Sequence, residues 1–149
     1  MEFLIGFGGN LGDPPAAFER ALAALAIHGS VKLRSSVRRT DPIGPPQPRY
    51  WNMAAVVEFS GSALELLELC QDIEAAAGRR RDSNDQWGPR TLDLDLLLAP
   101  GLVCCGPRLT LPHPRFHERL FALAPAAELV PDWLHPLQGF TVRELRDRT

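Results

Sequence analysis

The chain has 149 residues, of which 45% are hydrophobic and 23% charged, and its formal net charge is -2. This length fits one domain over residues 1–149, and the composition is that of a soluble globular protein rather than a disordered or fibrous one. The near-balanced charge gives no whole-chain reason to expect binding to nucleic acid or to an anionic membrane.

The first third of the chain predicts a strand, a helix and a second strand. Residues 3–7 are apolar and precede two glycines, which is typical of a strand that ends there. Asp13 followed by two prolines predicts a helix start, because aspartate caps unpaired N–H groups and proline at the first helical position needs no N–H. Residues 31–37 alternate weakly between apolar and polar, so they predict a second strand.

The middle of the chain predicts a loop, a buried strand and a capped helix. The loop TDPIGPPQPRYWN, residues 40–52, has too many prolines for a helix. Residues 53–59 predict a third strand, mostly apolar and so buried on both faces. Ser62 and Glu65 form a predicted capping box, and the helix that they open is expected to run to Gly78.

The last part of the chain predicts a fourth strand, a hairpin and two helices. The strand lies in WGPRTLDLDLLL, residues 87–98, and the hairpin is expected around Pro100-Gly101. A short helix is predicted over residues 120–129, and a final helix is capped by Thr141 with Glu144. The order β-α-β-β-α-β indicates an α+β domain of ferredoxin-like type, with an antiparallel-rich sheet and helices packed on it.

Three further features bear on where the protein acts. No apolar run approaches the ~20 residues of a membrane span. The first residues, MEFLIGFGG, show neither the basic region nor the cleavage site of a signal peptide, so we expect a cytoplasmic protein. Three cysteines without a CxxC pair argue against a disulfide framework or a zinc site. The balanced charge, with no spare hydrophobic stripe, leads us to expect a monomer.

The predicted fourth strand carries two carboxylates, Asp93 and Asp95, on one face. Residues two apart in a strand lie about 6.5–7 Å apart on the same side. At that separation two ionised carboxylates repel by roughly 2–3 kcal/mol at an effective dielectric constant of about 20, and a divalent cation would turn the repulsion into attraction. Mg²⁺ suits such a pair, because it takes its other ligands from water and phosphate oxygens. The alternative, the exposed polar face of a half-buried strand, stays open on this pattern alone.

Cationic side chains flank the carboxylate pair in the sequence. They are Arg79, Arg80, Arg81 and Arg90 upstream, and Arg108, His113, Arg115, His117 and Arg119 downstream. Guanidinium groups beside a metal-ready carboxylate pair are what a polyphosphate needs. An alternative for one or two of these arginines is a solvated loop paired with Asp82 and Asp85. The chain has no G-x-x-x-x-G-K-[ST] motif, so a nucleotide would be bound by arginines and metal instead of a glycine cradle.

A second group of residues suits a flat heteroaromatic ligand. Its members are Pro42, Ile43, Tyr50, Trp51, Asn52, Trp87 and Phe121. Aromatic rings offer stacking faces, and Asn52 offers both a hydrogen-bond donor and an acceptor. The alternative is that Tyr50 and Trp51 only pack under the proline-rich loop.

Four blocks of the chain match a known family in order. They are GFGGNLGD at residues 6–13, TDPIGPPQPRYWN at 40–52, GRRR…WGPRTLDLDLLL at 78–98, and LTLPHPRFHERLF at 109–121. With these blocks, the sequence resembles the 6-hydroxymethyl-7,8-dihydropterin pyrophosphokinase family of folate biosynthesis. The resemblance implies a ferredoxin-like fold over residues 1–149. It also implies Mg²⁺-dependent transfer of the β,γ-pyrophosphoryl group of ATP to the pterin's hydroxymethyl group, giving AMP and the pterin diphosphate.

The resemblance implies roles for individual residues as well. Asp93 and Asp95 would hold two Mg²⁺ ions, and Arg79 and Arg90 would neutralise charge at the reacting phosphates. The residues that match ATP contacts are Gln71, Glu74, Arg81, Arg108, Thr110, His113 and Arg119. Those that match the pterin pocket are Thr40, Pro42, Ile43, Tyr50, Asn52, Trp87 and Phe121. The implied partners are ATP and 6-hydroxymethyl-7,8-dihydropterin, with no nucleic acid and no membrane.

Three positions depart from the family pattern. Gly9 stands where serine is usual, Arg38 where tyrosine is usual, and Asp82 where some relatives have lysine. These departures bear on loop dynamics and ATP affinity rather than on the expected activity. The alternatives are a catalytically inactive nucleotide- or pterin-binding module, a DxD glycosyltransferase, for which 149 residues is short, and a structural domain with a charged strand face. The presence of both aspartates and both leading arginines favours the enzyme.

Overall fold

The computed structural model describes residues 1–40, 49–78 and 91–149. The elements in chain order are β1 (Glu2–Gly9), α1 (Pro14–His28), β2 (Ser30–Arg34), β3 (Arg38–Thr40), β4 (Tyr50–Glu58), α2 (Ala63–Ala76), β5 (Asp93–Leu98), β6 (Cys104–Cys105), β7 (Thr110–Leu111), a 3-10 turn (Phe116–Glu118), α3 (Leu120–Leu129) and α4 (Val142–Arg148). Within these ranges no helix combines the length and the apolar character that crossing a bilayer requires.

The main sheet is antiparallel and has the strand order β2-β4-β1-β5, with β3 also paired to β4. Strands β1 and β4 lie at its centre and run side by side from Glu2 opposite Glu58 to Gly9 opposite Trp51. Strand β5 pairs with β1 and ends the strand order of the described residues. In the described part of the chain, α1 and α2 cover one face of the sheet and α3 and α4 the other, which confirms the predicted α+β fold of ferredoxin-like type.

The helix caps predicted from the sequence are present. Asp13 accepts a hydrogen bond from a backbone N–H of the first turn of α1 at 3.2 Å. Ser62 and Glu65 bond reciprocally at the start of α2, at 2.9 and 3.1 Å. Thr141 and Glu144 form the same box at the start of α4. Each cap satisfies backbone donors that would otherwise be unpaired, so these helix starts are locally encoded.

The core has two parts, one on each face of the sheet. Helices α1 and α2 cover the first face, where Phe18 of α1 meets Phe7 of β1 edge-on with ring centroids 5.8 Å apart. Helices α3 and α4 cover the second face. Strand β4 contributes to both, since Val57 belongs to the first cluster and Val56 to the second. This confirms the prediction that the strand is buried on both faces.

Several strand predictions differ from the structure. β1 continues to Gly9, beyond the predicted end at residue 7, because both glycines pair with β4. β2 ends at Arg34, and residues 38–40 pair separately with β4 as β3. The predicted hairpin around Pro100-Gly101 is wrong: the chain turns there, but β6 pairs with β7 and not with β5. The outer edge of β5 is instead engaged at Leu94 by a side chain of α2.

Candidate active site

A pocket of about 180 Å³ lies on the face of the sheet that α3 covers, between β1, β4, β5 and residues 113–122. It brings together many of the side chains singled out from the sequence. Those that line it are Thr40, Tyr50, Asn52, Asp93, Asp95, His113, Arg119 and Phe121. The two groups predicted separately, the carboxylates and the residues suited to a flat ligand, therefore meet in one cavity.

Two glycines of β1 form part of the pocket lining, and the sequence analysis did not identify them as site residues. A Cβ atom at Gly8 would lie 3.4 Å from Oδ1 of Asn52, and one at Gly6 would lie 3.0 Å from Cδ1 of Leu97. Side chains at these positions would occupy space that the pocket uses. Their spacing of two in a strand, which puts both on one face, is the sequence signal that could have revealed them.

Asp93 and Asp95 lie on the pocket face of β5, as their spacing predicted. They stand opposite Gly8 and Gly6 of β1, so no side chain of β1 covers them. Asp95 is exposed and Asp93 half-buried, whereas Leu94 between them is buried. The two carboxylates are therefore open to the pocket from one side of the strand.

The carboxylate pair fits a hard divalent cation. Both side chains offer oxygen donors to the same cavity, and Mg²⁺ is commonly bound through one or two carboxylates plus phosphate oxygens and water. In the described ranges no group of three or more His, Cys, Asp or Glu side chains comes together as a metal site.

Asn52 has a defined orientation in the pocket. Its side chain is 6% exposed, and its Nδ2 donates a hydrogen bond to Oγ1 of Thr40 at 2.8 Å. Thr40 stands beside Asn52 because β3 and β4 are paired, with Thr40 opposite Tyr50. With Nδ2 directed to Thr40, the amide oxygen of Asn52 lies toward Gly8.

His113 and Arg119 supply the polar and cationic wall. Nδ1 of His113 accepts the backbone N–H of Arg115 at 3.1 Å, so a neutral ring carries its proton on Nε2. Burial, followed by the charges of Arg119 and Arg115, lowers the pKa of His113 to about 4. The imidazole is therefore neutral at pH 7. The guanidinium of Arg119 lies 5.6 Å from the ring centroid of Phe121.

Four of the predicted nucleotide contacts are not part of this pocket. Gln71 is half-buried on α2, and Thr110 is exposed in β7 opposite Cys105. Arg108 lies 3.9 Å from Glu68 in an exposed ion pair. The fourth, Glu74, is buried and accepts the backbone N–H of Leu94.

Other predicted site residues lie outside the described residues. These are Pro42, Ile43, Arg79, Arg81, Trp87 and Arg90. The departure at Asp82 lies there too.

The two described departures from the family pattern have local explanations. A Cβ atom at Gly9 would lie 2.5 Å from the carbonyl oxygen of Thr91, a contact with backbone that a side chain cannot make without a shift. Arg38 pairs with Glu128 of α3 at 3.3 Å, and the hydroxyl of Ser36 donates to the same carboxylate at 2.8 Å. Arg38 therefore helps to connect the first residue of β3 to α3.

Known proteins match this chain in sequence over most of its length. Residues 4–131 match the family described as 7,8-dihydro-6-hydroxymethylpterin-pyrophosphokinase (HPPK). A 2-amino-4-hydroxy-6-hydroxymethyldihydropteridine pyrophosphokinase from Synechocystis sp. is 40% identical over 144 residues, which cover 95% of this chain and 73% of the relative. The Bacillus subtilis protein of the same name is 44% identical over 128 residues, covering 84% and 75% of the two chains.

Solved structures show the same fold. The crystal structure of Plasmodium falciparum HPPK-DHPS wild type with STZ-DHP superposes on this chain with a TM-score of 0.73 and is 11% identical in sequence. The match covers 99% of this chain and 43% of the longer Plasmodium chain. At this identity the likeness shows the architecture alone.

Proposed function

The chain belongs to the 7,8-dihydro-6-hydroxymethylpterin-pyrophosphokinase family, and from this premise we propose how its pocket carries out the family reaction. That reaction, in folate biosynthesis, transfers a pyrophosphoryl group from ATP to the hydroxymethyl group of the pterin, so the chain is an ATP-dependent diphosphokinase. We propose that residues 1–149 act as one such domain and that the pocket of β1, β4 and β5 is its active site.

One observation carries this assignment. The carboxylates of Asp93 and Asp95 and the amide of Asn52 line the same pocket. A transferase of this kind must hold a charged polyphosphate and a flat heterocycle with their reacting atoms in contact, and proximity of this kind is a large part of the catalysis. A pocket with one polar and one aromatic region meets that requirement.

The pterin half of the pocket is formed by Thr40, Tyr50, Asn52 and Phe121. Because Thr40 holds one amide hydrogen of Asn52, the Asn52 oxygen is set to accept a hydrogen bond from a ring N–H of the pterin. Phe121 would offer a stacking face. Pro42, Ile43 and Trp87 are proposed to complete this half of the pocket from outside the described ranges.

The phosphate half is formed by Asp93, Asp95, His113 and Arg119. Mg²⁺ bound by the two aspartates would supply charge neutralisation at the phosphate oxygens. Neutral His113 can donate its Nε2–H to a phosphate oxygen, and Arg119 can donate charged hydrogen bonds to another. Arg79 and Arg90 are proposed to add positive charge near the transferred group, and the number of ions, two, remains a prediction.

The chemistry places modest demands on the protein itself. The hydroxymethyl oxygen of the pterin forms a bond to the β-phosphorus of ATP, and the bond from that phosphorus to the α,β-bridging oxygen breaks. AMP leaves with the bridging oxygen, and the proton of the hydroxyl passes to solvent. Such a transfer depends on positioning and electrostatic stabilisation, so no protein nucleophile is required. The pocket residues therefore act by binding, orienting and neutralising charge.

Several finer assignments stay predictions. Gln71, Glu74, Arg81, Arg108 and Thr110 are proposed from the family resemblance to lie near the nucleotide. The monomeric state and the cytoplasmic location likewise rest on the sequence.

A product assay tests the proposed function. Purified protein is mixed with ATP, Mg²⁺ and 6-hydroxymethyl-7,8-dihydropterin, and the nucleotides are separated by chromatography with and without EDTA. AMP and the pterin diphosphate are expected only when the metal is present. ADP would contradict pyrophosphoryl transfer, and binding of both substrates without turnover would support an inactive binding module.

A further inference from the structure

Glu74, in the last turn of α2, contacts the backbone of the strand that carries the aspartates. Its side chain is 5% exposed, and its Oε2 accepts a hydrogen bond from the N–H of Leu94 at 2.8 Å. Leu94 is the residue between Asp93 and Asp95 in β5. The bond therefore reaches β5 at the midpoint of the carboxylate pair.

The bond lies on the outer edge of β5, away from β1. β5 ends the described strand order, and Leu94 stands opposite Phe7 of β1. In an antiparallel pair, successive residues direct their N–H groups alternately toward the partner strand and away from it. Since the Leu94 N–H is taken by Glu74, it points outward, and the N–H groups of the two flanking aspartates point toward β1.

The surroundings of Glu74 make this bond important to the local structure. A buried carboxylate is costly unless it is hydrogen-bonded, and an edge strand has a partner strand on one side only. The charge of Glu74 also affects the thiol of Cys70 on the same helix. Burial, and then the charges of Glu74 and Asp95, raise the pKa of this thiol to about 12. Both carboxylates therefore lie within electrostatic range of the Cys70 thiol.

We propose that Glu74 is a positioning residue for the metal-binding carboxylates. By holding the N–H of Leu94 it fixes the backbone of β5, and with it the direction in which the side chains of Asp93 and Asp95 project. This inference rests on the proposed function, in which these aspartates hold Mg²⁺. It gives Glu74 a role through the strand, distinct from the nucleotide contact that the family resemblance implies.

Two substitutions separate this role from a role of charge. Glu74→Gln keeps the side-chain length and an acceptor oxygen but removes the charge. Glu74→Asp keeps the charge but shortens the side chain by one methylene, which withdraws the carboxylate from the Leu94 N–H. Asp72→Glu is the matched control, because Asp72 is an exposed carboxylate on the same helix and the change also alters the side chain by one methylene.

The readouts do not depend on turnover. Mn²⁺ binding is titrated by electron paramagnetic resonance in the presence of a non-hydrolysable ATP analogue, and hydrogen exchange of the Leu94 amide is followed by NMR. We expect Glu74→Asp to weaken Mn²⁺ binding by about tenfold or more, the range known for residues that orient metal ligands, and to speed exchange at Leu94. Glu74→Gln and Asp72→Glu are expected to leave both nearly unchanged, and all variants should bind the pterin.

The results that overturn the proposal are specific. If Glu74→Gln weakened Mn²⁺ binding while Glu74→Asp did not, charge and not the bond would matter. Faster Leu94 exchange with unchanged Mn²⁺ binding in Glu74→Asp would also overturn it. If Glu74→Asp did not fold, the proposal could still be tested with Glu74→Gln and the wild-type protein. It requires normal Mn²⁺ binding in Glu74→Gln, and slow exchange of the Leu94 amide in both Glu74→Gln and the wild type. Failure of the wild-type protein to bind Mn²⁺ would reject the proposed function itself.

Discussion

The side-chain amide of Asn52 donates a hydrogen bond to the hydroxyl of Thr40 at 2.8 Å, across the paired strands β3 and β4. Asn52 is buried, so its amide needs this acceptor. Thr40 lies at the end of β3, where the proline-rich loop begins. The bond therefore links the entrance of that loop to the amide proposed to recognise the pterin.

Replacing Thr40 by valine should weaken pterin binding. The substitution keeps the shape but leaves a buried N–H of Asn52 without its acceptor, which costs about 1–3 kcal/mol. The freed amide also loses the orientation that presents its oxygen to the pterin, so we expect the Kd for the pterin to rise by about tenfold, which corresponds to 1.4 kcal/mol. Calorimetry measures it. Thr40→Ser, which keeps the hydroxyl, should bind nearly as well as wild type, and equal weakening by both variants would contradict this account.

Asp95→Ala should abolish turnover while leaving pterin binding largely intact. The substitution removes one of two oxygen donors on the pocket face of β5, and we expect a loss on the order of 10³-fold in kcat, as when a key electrostatic group is removed from an active site. Asp72→Ala, at an exposed aspartate of α2, is the matched control. A folded Asp95→Ala protein with near-normal turnover would reject the metal assignment.

The parts of the structure that depend on neighbours in sequence could be predicted. The capping boxes at Ser62 and Thr141 each involve residues three apart, and both are confirmed. The placement of Asp93 and Asp95 on one face follows from the two-residue period of a strand, and the pocket face of β5 confirms it.

The parts of the structure that depend on segments distant in the sequence could not be predicted. No local pattern shows that Glu74 would bond to Leu94, because the two are twenty residues apart and meet only when α2 packs against β5. The hairpin predicted at residues 100–101 is wrong for the same reason. The local sequence predicts the turn correctly, but the pairing of β6 with β7 depends on tertiary packing. Glycines such as Gly8 acquire a role only when Asn52 lies beside them.

His113 should make the protein less stable as the pH falls below 6.5. Burial lowers its pKa from the ordinary value of 6.5 to about 4 in the folded state. Between these pH values the unfolded chain binds a proton at this position and the folded chain does not. Protonation therefore lowers the free energy of the unfolded state and favours unfolding. The stabilising effect is complete above about pH 6.5 and is lost progressively down to about pH 4.

Urea unfolding of wild type and His113→Gln at pH 7 and pH 5 measures this contribution. The glutamine variant does not titrate at position 113, so the stability of wild type relative to the variant should decrease at pH 5. His135, whose pKa burial also lowers, is present in both proteins and cancels in the comparison. A stability difference that is the same at both pH values would contradict the neutral state assigned to His113.

Gly9→Ala should destabilise the protein, whereas Gly106→Ala should not. An added Cβ at position 9 would lie 2.5 Å from the carbonyl oxygen of Thr91, which cannot rotate away, but at position 106 it would lie 3.6 Å from that of Leu109, an ordinary contact. Overpacking of this kind typically costs about 1–3 kcal/mol. Urea unfolding of both variants measures the difference. Because Thr91 precedes β5 by two residues, the Gly9 variant should also need more Mg²⁺ for half-maximal turnover, and equal stability of the two variants would show that β5 can shift away from β1 without cost.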